Sequence, residues 1–182
     1  MNTLVKRLGQ ALLVAWALLA LVPVANAIRV VREYAVNHLT LEEWYSMAPI
    51  AIAIHDGTFS LSQLFEPVNE HLFVLTKLVL ALHTGLTHFN QTFGQHLNLL
   101  LSLLIWSGVL GLLWSQDRLA ALLAAPLLSL SVLNVRQAFN WLMATQSAFL
   151  FPVLAILIIV TVFQRMPISW RALLSAMAVA FL

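Results

Sequence analysis

The chain has 182 residues, 62% hydrophobic and 9% charged, with a formal net charge of +2; a soluble domain carries roughly 25% charged residues. That balance excludes an ordinary water-soluble domain and indicates an integral membrane protein. The absence of cysteine excludes disulfides and thiolate chemistry, and the small net charge, with no basic cluster, excludes a nucleic-acid partner.

The first segment, "MNTLVKRLGQALLVAWALLALVPVANAI", places Lys6 and Arg7 before an apolar run that ends in Ala25-Asn26-Ala27. This is the pattern of a cleavable signal peptide. The run from Leu8 to Ile28 nevertheless has 21 residues, longer than a signal core of roughly 7–15 and close to the ~20 a spanning helix needs. An uncleaved first transmembrane helix at 1–28 is favoured, with the signal peptide as the alternative. Both keep Lys6 and Arg7 inside and export the polar segment beyond Ile28.

Four further apolar runs cover His71–Leu86, Leu97–Trp114, Leu119–Val135 and Ala148–Phe163. None alternates as a barrel strand would, so the expected fold is all-α: a polytopic transmembrane helical bundle over 71–182. The last run, Ala172–Leu182, has 11 residues, about half a span. The chain is therefore expected to be the N-terminal part of a longer protein.

Between the first helix and the bundle lies a polar stretch, 29–70. It carries six of the seven acids: Glu33, Glu42, Glu43, Asp56, Glu66 and Glu70. A connection of this length is commonly functional, and it is expected to be an exported loop bearing short interfacial helices. Thr40 with Glu43 forms a capping box opening "LEEWYSMA", whose apolar face is expected to be Leu41, Trp44, Tyr45 and Ala48, with Pro49 restricting its end. Ser60 with Gln63 opens "LSQLF", and Pro67 interrupts it. Asp56-Gly57 reads as the turn between the two helices.

The positive-inside rule then weighs two topologies. If all five runs span, only Lys6, Arg7 and Arg136 lie inside. If His71–Leu86, which contains Lys77 and His83, does not cross, the inside gains Arg118, Arg165 and Arg171. The second arrangement is preferred. It also places the connection "NVRQAFNWLMATQS" on the same face as the acidic loop, and its Asn134, Arg136, Gln137, Asn140, Trp141 and Gln146 need water, protein or a polar ligand there.

Two of these stretches carry a resemblance. "HDGTFSLSQLFEPVNEHLFVLTKL" resembles the first exported loop of bacterial multi-spanning proteins of the GT-C glycosyltransferase type, which run "DG.F....L..P.NEHR" with a basic residue following. "FNWLMATQSAFL" resembles their "eNWlwgfQ" segment, with Asn140, Trp141 and Gln146 at matching spacing. The resemblance covers about residues 55–163. Leu72 stands where that family has arginine, and Met143 and Ala144 where it has tryptophan and glycine.

The resemblance implies transfer of a sugar from a polyprenyl-phosphate donor to an acceptor on the exported face of a bacterial inner membrane, with the N-terminus cytoplasmic. It implies Asp56 as the acid of the first loop, with Glu70 and His71 in acceptor or proton-transfer roles and Asn69 orienting a hydroxyl. Lys77 would meet the donor phosphate as a point charge, and Asn140, Trp141 and Gln146 would bind substrate. No metal or other cofactor is expected, because His55, Asp56, Glu70 and His71 have no compact ligand spacing. Protein partners are not indicated.

Plainer roles stand beside these. Asp56 before Gly57 is a favoured turn former, and Glu70 suits the first turn of a helix with His71 as an interfacial cap. Lys77 is placed to snorkel, and Asn140 and Gln146 are placed to satisfy each other. The competing class is a non-catalytic multi-pass protein, a transporter fragment or scaffold.

Overall fold

A computed structural model of the chain describes residues 3–40, 43–68, 71–167 and 169–170. The described residues are all-helical, and four stretches are long and apolar enough to cross a membrane: Leu4–Tyr34, Gln91–Gln116, Arg118–Leu142 and Ala144–Arg165. The expected run Ala172–Leu182, and with it Arg171, lies outside the described residues.

The first stretch is two helices, α1 (Thr3–Leu18) and α2 (Leu21–Tyr34), with a break at Leu19-Ala20. Pro23 accounts for the break. It has no N–H to give the Leu19 carbonyl, which accepts instead from Val22 at 3.1 Å. The helical stretch continues past Ile28, so Arg29, Arg32 and Glu33 belong to α2 rather than to the polar connection.

The connection holds α3 (Glu43–Ser46), α4 (Ala48–His55) and a 3-10 helix (Leu61–Phe65). α4 departs from the sequence expectation. Pro49 does not end a helix; it sits in the first turn of the next one, where its missing N–H costs nothing because that group has no intrahelical partner anyway. The Ser60–Gln63 capping box is present, opening the 3-10 helix. α4 ends as the turn signal predicts: Gly57 takes φ +70°, Thr58 N–H reaches Ala53 O at 2.8 Å and Gly57 N–H reaches Ile54 O at 3.3 Å. These two bonds form a Schellman cap.

α5 (Val74–Thr87), α6 (Gln91–Gln116), α7 (Arg118–Val132), the short α8 (Ala138–Leu142) and α9 (Ser147–Arg165) complete the described chain. Side-chain caps start two of them: Asn90 Oδ1 accepts Thr92 N–H at 3.0 Å, and Asp117 Oδ1 accepts Leu119 N–H at 2.8 Å. Four contacts set the directions. Trp16 Nε1 donates to Leu123 O at 3.0 Å and Ser129 Oγ to Ala20 O at 2.6 Å, so α1 and α7 run parallel. Gly94 lies against Ala144 and Gly108 against Leu157, so α6 and α9 also run parallel.

One end of the bundle therefore carries the α6–α7 corner with Asp117 and Arg118, the end of α9 with Arg165, and, along α1, Lys6 and Arg7. The opposite end carries the polar connection after α2 and the segment from Leu133 to Gln146. α5, on the run His71–Leu86, is not among the four stretches long enough to span. At about 1.5 Å per residue, the 14 residues of α5 reach about 21 Å, against a hydrocarbon core of ~30 Å.

Candidate functional site

The two polar segments meet through Glu43. Its side chain is fully buried, although the sequence suggests only a capping acid there. One carboxylate oxygen, Oε2, accepts the N–H and the hydroxyl of Thr40, each at 2.8 Å, which is the expected capping box. The other, Oε1, accepts the backbone N–H of Ala144 at 2.6 Å and of Thr145 at 3.3 Å. These two amides belong to the 3-10 helix Ala144–Gln146, which joins α8 to α9. A carboxylate with four donors offsets its desolvation in a way that an unpaired one cannot.

This contact fixes which way α3 faces. Glu43, Ser46, Met47 and Ala48 are buried while Trp44 and Tyr45 are 56% and 81% exposed, because the carboxylate must point at its donors and the aromatics then point away. Of the four residues expected on the apolar face only Ala48 is seen to be covered; Leu41 lies outside the described residues. Met47, Ile50, Leu80 and Ala144 form a small apolar core next to Glu43.

Beside this core a groove of about 470 Å³ runs between α4 and the end of α5, with Trp44, Ile52, Ile54 and Phe89 as apolar walls and His55, His88 and Thr84 as polar positions. Its volume is that of a small-molecule site. Thr84 Oγ1 is buried without a hydrogen-bond partner among the described residues. Asp56 follows the groove residue His55 directly, is exposed, and accepts no side-chain hydrogen bond among the described residues.

No family model, curated protein or solved structure matches the chain.

Asn69 and Glu70 lie outside the described residues. The residues that flank them, Val68 and His71, exchange backbone hydrogen bonds at 2.9 and 3.0 Å. The exposed His71 ring stacks on Phe73 at 5.6 Å, and Phe73 meets Phe149 of α9 edge-on at 6.1 Å. Lys77 is buried, and its ammonium donates to the carbonyls of Glu66 at 2.6 Å and Gln63 at 3.0 Å. Burial lowers its pKa from the usual 10.5, and the Glu66 carboxylate partly opposes that. Lys77 thus closes the C-terminal end of the 3-10 helix Leu61–Phe65 rather than snorkelling.

The three positions of the second motif do not converge on the groove. Trp141 packs in the main core against Ala27, Val30, Val31 and Leu99. Asn140 Nδ2 donates to Gln137 Oε1, and Gln146 Nε2 to Met143 Sδ at 3.5 Å, so Asn140 and Gln146 do not satisfy each other. Among the described residues no three His, Asp or Glu side chains come together to hold a metal ion.

A polar stripe not singled out from the sequence lies on α6. Gln91, Gln95, Asn98 and Ser102 are buried on one face, at the spacing of four, three and four that a helix stacks on one side. Asn37 Oδ1 accepts the N–H of Gln91 at 2.8 Å, Gln95 Nε2 donates to Val36 O at 3.1 Å, and Asn98 Nδ2 donates to Met143 O at 2.7 Å. The stripe ties both polar segments to α6, and its spacing was the signal available for finding it.

Proposed function

We propose that this chain supplies the first loop and adjacent helices of a GT-C-like membrane glycosyltransferase, which moves a sugar from a polyprenyl-phosphate donor to an acceptor at the exported face. The observation that carries the reading is the Glu43 carboxylate bound to the amides of Ala144 and Thr145. It joins the polar connection, whose later part bears one of the resembling stretches, to the segment that is the other, and does so at one end of a bundle with four helices long enough to span.

In this reading the end with Lys6, Arg7, Arg118 and Arg165 faces the cytoplasm, in line with the positive-inside rule, and the joined polar segments face out from a bacterial inner membrane. The groove beside Trp44 accepts part of the isoprenoid chain, since its walls are aliphatic and aromatic. Asp56, next in the chain to the groove residue His55, takes the proton of the acceptor hydroxyl as that hydroxyl attacks the sugar carbon and the polyprenyl phosphate leaves. His71 lies on the return of the chain towards the bundle and orients the acceptor, a task that the resemblance assigns also to its sequence neighbours Asn69 and Glu70.

One observation favours the alternative of a non-catalytic multi-pass protein: Lys77 commits two of its three hydrogens to carbonyls, which leaves it a weak phosphate contact. An assay of sugar transfer in proteoliposomes separates the readings. Asp56→Asn is expected to reduce transfer by about 10²-fold or more, in the range of general-base removal, with unchanged thermal stability. Equal transfer by the variant and the unsubstituted chain would defeat the catalytic role of Asp56.

A further inference from the structure

α5 is built the wrong way round for a helix in water. Its inward face buries Thr76, Lys77, His83 and Thr84 together with Leu80, while Leu75, Leu78, Leu82 and Leu86 stand 49%, 40%, 61% and 81% exposed. A helix on the surface of a soluble protein turns its apolar stripe inward and its polar face to solvent; here the order is reversed.

Its placement is equally informative. α5 starts beside the start of α9, where Thr76 Oγ1 lies 3.3 Å from Ser147 Oγ. It ends three residues before α6, whose first turn is held to Asn37 of the polar connection. Both ends of α5 therefore lie at the same end of the bundle, and the helix runs across that end.

The leucine face also continues a surface that meets lipid in any spanning arrangement. Leu72 and Leu75 line a crevice with Ala148, Phe151 and Pro152 of α9. Beyond the crevice α9 exposes Val153, Ile156, Ile159 and Val160 on a stretch long and apolar enough to cross a membrane.

We propose that α5 is an in-plane membrane helix whose Leu75, Leu78, Leu82 and Leu86 face is immersed in the acyl boundary of the bilayer, while its polar face closes over the Lys77 and His83 side. Lipid acyl chains are the occupant of this face. The placement is independent of sugar transfer, since it rests on the direction and exposure of the helix alone.

The chain has no cysteine, so single nitroxide labels can be placed at Leu75→Cys, Leu78→Cys, Leu82→Cys and Leu86→Cys in the full chain in phosphatidylethanolamine–phosphatidylglycerol liposomes. Ser62→Cys, on the exposed 3-10 helix, and Ile156→Cys, within α9, give the depth references. Collision rates with oxygen and with a neutral nickel chelate report depth. All four leucine sites are expected to favour oxygen over the chelate, at depths within about 8 Å of one another, half the ~16 Å that eleven residues of a traversing helix would give. A depth gradient near ~16 Å would overturn the in-plane assignment. Chelate access equal to that at Ser62 would put the face in water, and shielding from both probes would put a second copy or another protein there; either result overturns the lipid assignment.

Discussion

Glu43 and Ala144 are 101 positions apart in the chain, and the carboxylate of the first accepts the backbone N–H of the second at 2.6 Å. The same side chain holds Thr40 and Thr145, so it acts as the joint between two segments that would otherwise be separate loops. Glu43→Ala leaves buried amides without acceptors, at a cost on the order of 3 kcal/mol. Hydrogen exchange of the Ala144 and Thr145 amides is expected to accelerate at least tenfold, with the amides in the middle of α6 unchanged. Unaltered exchange at those two positions would show that the joint does not depend on Glu43.

Close helix packing gives a second expectation. A Cβ on Gly94 would meet both the side chain and the backbone of Ala144, whereas one on Gly108 would meet only the side-chain end of Leu157. Backbone cannot give way as a leucine methyl can, so Gly94→Ala is expected to destabilise by about 1–3 kcal/mol and Gly108→Ala by clearly less. Ala144→Gly should restore part of the Gly94→Ala loss, which thermal unfolding of the single and double variants measures.

His83 supplies the pH dependence. Its ring stacks on Phe93 at 5.1 Å and Phe89 at 6.3 Å, and Nδ1 lies 3.2 Å from Thr87 Oγ1. Burial lowers its pKa below the usual 6.5, with a backbone hydrogen bond opposing. The folded state then holds His83 neutral while the unfolded chain takes up a proton as pH falls through about 6.5. Its effect on stability is absent above that value and grows as a loss below it. The unfolding temperature is expected to fall between about pH 7 and pH 5.5, and to fall less in His83→Gln. Equal pH slopes in the two proteins would remove His83 as the cause.

Lys77 holds the carbonyls of Gln63 and Glu66. Lys77→Met, similar in length but without donors, is expected to open the segment from Leu61 to Glu66 to proteases while α6 and α9 stay protected. Loss of sugar transfer without such opening would instead assign Lys77 to the donor phosphate.

Much of the helical layout was legible in the amino-acid order, because apolar runs without strand alternation leave few choices in lipid. α6, α7 and α9 fall on the runs read from hydropathy, and α5, on the run that the distribution of Arg118, Arg165 and Arg136 leaves uncrossed, is not among the four stretches long enough to span. α4 was hidden because proline is both a terminator and a first-turn residue, and Pro49 took the second role. The burial of Glu43 was hidden for another reason. Glu43 is matched by main-chain amides, which every residue except proline has, so nothing in the composition near Ala144 marks the partner.

The candidate site was less legible than the fold. The turn at Asp56-Gly57 arises from local signals, and the Gln91, Gln95 and Asn98 stripe could have been found from its spacing, whereas the groove forms only when α4 meets the end of α5. Trp141, Asn140 and Gln146 sit at motif spacing, yet tertiary packing sends them to the core and to neighbours in their own turn. Spacing along the chain sets which residues share a short segment; it does not set which cavity they face.

Whether the groove beside Trp44 receives an isoprenoid chain can be decided by photo-crosslinking of the full chain in liposomes, using a polyprenyl phosphate that carries a diazirine on its isoprenoid part. Adducts are expected to concentrate on the groove residues Trp44, Ile52, Ile54 and Phe89 and to be displaced by unlabelled polyprenyl phosphate. Adducts spread evenly over the exposed faces of α1 and α9, with no displacement, would contradict the proposed donor site.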